Sequence, residues 1–136
     1  MKNKTTYKSN FGSELRQLQA ERESWKQLLS SRTEENVLLK NSLADILKNN
    51  FNANSLEDIE DFQTQFIEQD EWIKSLKKDV IELDKIFEDG GIEGSVDMTV
   101  EKFRRNLASS SKKFSYLKSA FNDFQQKISA RVNIEK

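Results

Sequence analysis

The chain of 136 residues contains no cysteine, no histidine and no proline, and only four glycines. Without thiols or imidazoles there is no disulfide framework, no zinc site of the Cys/His kind, no cysteine nucleophile and no histidine general base. Hydrophobic residues make up 35% of the chain and charged residues 33%, an apolar share below that of an average domain. No run approaches the roughly 18 apolar residues of a transmembrane helix. The opening MKNKTTYKSNFG has basic residues with no apolar run behind them, unlike a secretory signal. A cytoplasmic protein without membrane insertion is the expectation. Lys and Arg number 22 against 23 Asp and Glu, so the net charge of −1 gives no global case for nucleic acid or lipid.

Catalytic motifs are missing as well. No GxxxxGK[ST] phosphate loop and no GxGxxG turn occurs, and a di-metal carboxylate bundle needs Glu-x-x-His, which this chain lacks. Asp89–Glu101 (DGGIEGSVDMTVE) brushes the EF-hand pattern through Gly94 and Val96. Its third position is Gly91, which offers no ligand, and its twelfth is Val100, where a bidentate Glu is needed. The segment reads instead as a chain-reversing turn. The acidic cluster of Glu57, Asp58, Glu60 and Asp61 is the ordinary preference of a helix N-terminus. The chain reads as a non-enzyme with no cofactor, no metal and no small-molecule substrate.

What the sequence does have is periodicity. Two breaks, Asn49–Ser55 with its four asparagines and the glycine-rich Asp89–Ser95, leave three segments of similar length. The first steps through Leu15, Leu18, Arg22, Trp25, Leu29, Arg32, Asn36, Leu39, Leu43 and Ile46 in strict 3-4 spacing. The second follows Ile59, Phe62, Phe66, Gln69, Ile73, Leu76, Val80, Leu83 and Phe87. The third follows Val100, Phe103, Leu107, Ser110, Phe114, Leu117, Phe121, Phe124, Ile128 and Arg131. Spacing near 3.5 residues places each set on one narrow stripe of a helix. Three helices of about 33 residues would each run about 50 Å. Such stripes need packing to be stable. The expectation is an all-α, elongated antiparallel three-helix coiled-coil bundle, up-down-up, with self-association open to it.

The expected bounds are a flexible tail over residues 1–12 and a single domain over 13–136, with helices at about 13–48, 56–89 and 98–133. Ser13, Ser55 with Asp58, and Asp97 or Thr99 are the candidate N-caps. Lys48 and Lys85 suit the helix ends they occupy, and Gly90–Gly91 can supply a left-handed stop.

Charge is distributed unevenly. Residues 56–89 hold twelve acids and four bases, and residues 98–136 hold nine bases and three acids. An acidic helix 2 beside a basic helix 3 is what intramolecular pairing selects. The sharper reading gives helix 3 an acidic partner outside the chain, through Lys102, Arg104, Arg105, Lys112 and Lys113. These bases spread around the helix, and Tyr116 is the one aromatic off the stripe, which argues against a nucleic-acid platform.

Polar residues interrupt the stripes at Arg22, Arg32, Asn36 and Gln69, as candidate register-setting positions. Arg32 falls near the level of Glu68 and Glu71, with which it would pair or past which it would snorkel. Two readings of these residues stand: helix 1 lies outermost and tolerates them, or they set register against another chain. Apolar residues beyond the stripes, Leu38, Ile67, Trp72 and Ile81 foremost, either broaden the core or form a second contact face. The functional expectation is a protein–protein interaction module, a coiled-coil adaptor, spacer or assembly subunit with a protein partner or itself. The alternative is a regulatory or architectural protein that contacts nucleic acid or another acidic partner through helix 3.

Overall fold

A computed structural model describes the backbone of residues 2–49, 55–89 and 93–135, and side chains within 16–49, 55–89 and 98–130. It consists of α1 (Lys2–Asn49), α2 (Leu56–Glu88) and α3 (Glu93–Glu135). Cross-helix partners fix the topology. Arg22 and Asn36 of α1 reach Asp84 and Asp70 of α2, so chain order inverts and the two run antiparallel. Phe62 packs on Phe121 and Phe124, and Trp72 lies beside Lys113, so α2 and α3 are also antiparallel. Glu21 meets Arg104 and Glu35 meets Lys118, which leaves α1 and α3 parallel. The up-down-up three-helix bundle is the fold.

The 3-4 stripes form its interior. Every stripe member whose side chain is described is buried or half-buried, from Leu18 on α1 to Ile128 on α3. Leu15 and Arg131 lie outside the described side chains. A period of 3.5 residues keeps one seam facing the bundle axis along the whole helix, which is why so narrow a stripe is enough.

Helix starts differ from the cap residues. α1 begins at Lys2 and includes the segment 2–12 expected as a tail, and α3 begins at Glu93 instead of Met98. No proline interrupts either stretch, so nothing in the local sequence forces the helix to begin at the later residue. Ser13, Asp97 and Thr99 therefore lie inside helices and not at their ends. Ser55 does occupy the N-cap of α2, but its backbone is already helical (φ −98°, ψ −4°) and its side chain makes no capping hydrogen bond. An N-cap side chain reaches the next amides from an extended backbone, which is not the conformation here. At the other end of α2 the Asp89 N–H donates to the Lys85 carbonyl at 3.0 Å. The asparagine break over 50–54 and the Gly90–Gly91 stop lie outside the described residues.

Candidate interaction surfaces

The core is two apolar clusters with a polar level between them. One cluster gathers Leu43, Ile46, Ile59, Phe62, Phe66, Leu117, Phe121, Phe124 and Ile128. The other gathers Trp25, Leu29, Leu76, Val80, Leu83, Val100 and Phe103, with Trp25 and Phe103 rings 4.6 Å apart. Between them Arg32, Asn36, Gln69 and Ser110 are all buried, together with Ile73 and Phe114, which belong to neither cluster. Each helix contributes its stripe's polar residue at neighbouring heights.

Asn36, Arg32 and Ser110 are tied to specific partners, whereas the buried Gln69 Oε1 accepts no hydrogen bond among the described residues. Asn36 is fully buried, and its Nδ2 donates to the Phe66 carbonyl (3.0 Å) and to Asp70 Oδ1 (2.7 Å). Lys40 completes the site by pairing with the other oxygen of Asp70. The reading in which helix 1 lies outermost and tolerates polar residues does not hold for Arg32 and Asn36. Arg32 donates to Ser111 Oγ (2.8 Å) and more weakly to Ser110 Oγ (3.4 Å), with its guanidinium 5.5 Å from the centre of the Phe114 ring. The expected pairing with Glu68 or Glu71 does not form, because Arg32 turns toward α3 and not α2. Burial lowers the Arg32 pKa and the nearby Glu35 charge partly offsets it, but a guanidinium stays charged. Arg22 sits over the Phe87 ring at 4.1 Å and donates to Asp84.

Between the two helices of opposite charge, the contacts that use charge are the Lys113 ammonium over Trp72 and the attraction between Asp79 and Lys102. Among the described residues no ion pair joins α2 to α3. The acids of α2 that pair, Asp70 and Asp84, do so with Lys40, Arg22 and Lys26 of α1. The bases of α3 that pair, Arg104 and Lys118, do so with Glu21 and Glu35 of α1, apart from the local Arg104–Glu101 contact. Helix α1 takes one sign on each flank. The hydrogen bonds to Asp84 and then Glu23 hold the Lys26 ammonium pKa above its ordinary value. Exposed pairs of this kind are worth about 0–1 kcal/mol and act mainly on alignment.

The candidate contact residues divide among three surfaces. Ile67 is 51% exposed and Ile81 is 55% exposed. Each lies three residues before an aspartate, Asp70 or Asp84, that binds α1, so both stand on the flank of α2 that adjoins α1. Val37, 44% exposed, lies three residues before Lys40 and so stands on the flank of α1 that adjoins α2. Leu38 is exposed, one i,i+3 step from Glu35, and so leans toward α3. Trp72 is half-buried, with the Lys113 ammonium 5.1 Å from its ring centre, and belongs to the α2–α3 side. Of the four candidates, the structure places only Ile67 and Ile81 on one flank.

The α2–α3 side was missed. It carries a chain of hollows from Gln65 and Ala120 at one end to Glu82 and Met98 at the other, the largest about 420 Å³. Lys102, Arg105 and Lys113 line it from α3, and Glu68, Glu71, Asp79 and Glu82 line it from α2. Of the five candidate basic residues, Arg104 is the one taken by α1. Lys112 is exposed beside Lys113. Partial burial, followed by the Glu82 charge, raises the Asp79 pKa above the usual carboxylate value. Among the described residues no cluster is arranged to hold a metal ion, and no helix is long and apolar enough to cross a membrane. No protein-family model matches this sequence, and neither curated proteins nor solved structures yield a match.

Proposed function

We propose that the protein is a non-enzymatic interaction module that binds other proteins through the outer faces of its helices. The observation that carries this reading is the contrast between a complete core and the apolar residues left outside it. The three stripes already cover one another, yet Val37, Ile67 and Ile81 remain exposed along the α1–α2 flank. Ile67 and Ile81 are fourteen residues apart, about 21 Å along the helix. Exposed apolar residues at this spacing, set among charged side chains such as Lys74 and Lys77, suit a helix or sheet edge laid along the bundle. Reading the protein as a nucleic-acid binder through α3 has less support, because its free bases share their groove with four carboxylates that repel phosphate.

The test is a paired capture experiment with the wild-type chain and Ile67→Glu/Ile81→Glu as baits. Both positions are more than half exposed, so the double variant should keep its helicity and lose no more than about 1 kcal/mol of stability. Proteins held by the wild-type bait should be lost from the variant bait. Equal recovery on both baits would remove this face from the account, and collapse of the variant's helicity would assign the two isoleucines to the core.

A further inference from the structure

The groove between α2 and α3 has two properties that together specify an occupant. Its walls are opposite in charge: Glu68, Asp79 and Glu82 stand on one side and Lys102, Arg105 and Lys113 on the other. None of these six makes an ion pair within the chain among the described residues, although Asp79 and Lys102 feel each other electrostatically. The groove is also apolar in part. Met98 at one end is 78% exposed and Tyr116 at the other is 67% exposed, with half-buried Trp72 between them. An acidic wall beside a basic wall, with no ion pair closing them on each other, is complementary to its own rotated image.

We propose that this groove receives a second copy of the chain, related by a two-fold axis parallel to the bundle, so that α2 of each copy lies over α3 of the other. The proposal deepens the interaction reading above and rests on it, while using a different face. Symmetry does the selecting. Two faces can meet about an axis across the helices or along them. An axis across would set α2 on α2 and α3 on α3, placing acid against acid and base against base, which is costly. An axis along the bundle sets α2 on α3 and keeps every residue at its own height. Asp79 and Glu82 then meet the level of Lys102 and Arg105 of the other copy, and Glu68 that of Lys113, because these residues already share a level within one chain. The four helices at the contact are antiparallel to their neighbours, the packing of a four-helix bundle.

The size of the face sets the strength. From Gln65 to Glu82 the groove runs about 26 Å, and two helices side by side are about 20 Å wide. That gives about 1,000 Å² in all for the pair of copies, the lower limit for a specific contact. A reversible dimer is the result, weakened by salt because its charges sit at the rim.

Sedimentation and light scattering on the purified chain test this from micromolar to millimolar concentration, with far-ultraviolet circular dichroism as the control for folding. The wild-type mass should rise from 15.9 kDa toward twice that value. Glu68→Lys/Glu82→Lys reverses two acids of one wall and Lys102→Glu/Lys113→Glu reverses two bases of the other, removing most of the attraction between like copies, so each variant alone should stay at 15.9 kDa. Mixed in equal amounts, the two should pair with each other. If either charge variant loses helicity, Tyr116→Glu at its exposed position takes its place and should lower the dimer fraction at least tenfold. A wild-type chain that stays single at every concentration overturns the second copy, and the broader interaction reading is then judged by the Ile67/Ile81 baits alone. Dimers that persist in both variants place the contact on another face, and a mixture that stays monomeric removes the charge pairing.

Discussion

Phe121→Ala is expected to lower the melting temperature by about 10–20 °C, from a loss of about 3–5 kcal/mol. Phe121 and Phe66 are the largest fully buried side chains in the bundle. The Phe121 ring lies 5.2 Å from Phe62, 5.2 Å from Phe66 and 6.4 Å from Phe124, edge-on to the first two. Truncation forfeits the transfer energy of the ring, leaves a cavity that three helices can only partly close, and breaks aromatic pairs worth about 0.5–1.5 kcal/mol each. A domain of this size has about 5–15 kcal/mol in total, so the variant sits near its limit. The damage should also be uneven. Phe121 belongs to a cluster separate from the one around Trp25, so amide exchange should accelerate first near Leu43, Phe62 and Leu117. A thermal melt within a few degrees of wild type would mean the aromatic cluster is not the packing centre of that half.

Asn36→Leu should act in the opposite direction and raise stability by about 1–2 kcal/mol. Asn36 is fully buried, and its Oδ1 has no hydrogen-bond partner. Leucine would remove that unsatisfied acceptor and add apolar burial. The lost bonds are replaceable, because Asp70 keeps Lys40 and Phe66 loses only a second donor at its carbonyl. The gain would come at the expense of alignment. Asn36 pins α1 to α2 at one height through two bonds, and without it the α1 stripe keeps only Arg22 and Arg32 to hold that height. The variant should therefore melt higher yet show broader amide resonances near the middle of the bundle. A variant less stable than wild type would mean that the Asn36–Asp70–Lys40 site contributes stability as well as register.

The stripes were legible because a repeat of 3.5 residues is a property of each segment alone, and it names the buried side of a helix before any neighbour is known. Height is not such a property. Arg32 and Ser110 are 78 positions apart, and nothing in either segment says they lie at one level. Only the register between helices, set by connections and packing, brings the polar interruptions of three stripes together. For the same reason the net charges of α2 and α3 suggested that the two bind each other, while the ion pairs go to α1. Segment charge does not say which flank of a helix each group occupies. The α2–α3 groove depends on the same information, because Arg104 and Lys118 turn to α1 and leave Lys102, Arg105 and Lys113 on one wall. Caps were the poorest guide, since a helix without proline or steric conflict continues past a good capping residue.

The central claim is that one chain closes its own core and that its exposed faces are surplus to folding. The most direct test is helicity by circular dichroism at the dilution where light scattering gives a mass of 15.9 kDa. The account predicts full helicity and a cooperative melt in that single chain, because the core needs no second copy. Loss of helicity as the mass falls to one chain would contradict it, since the stripes would then be completed only between chains.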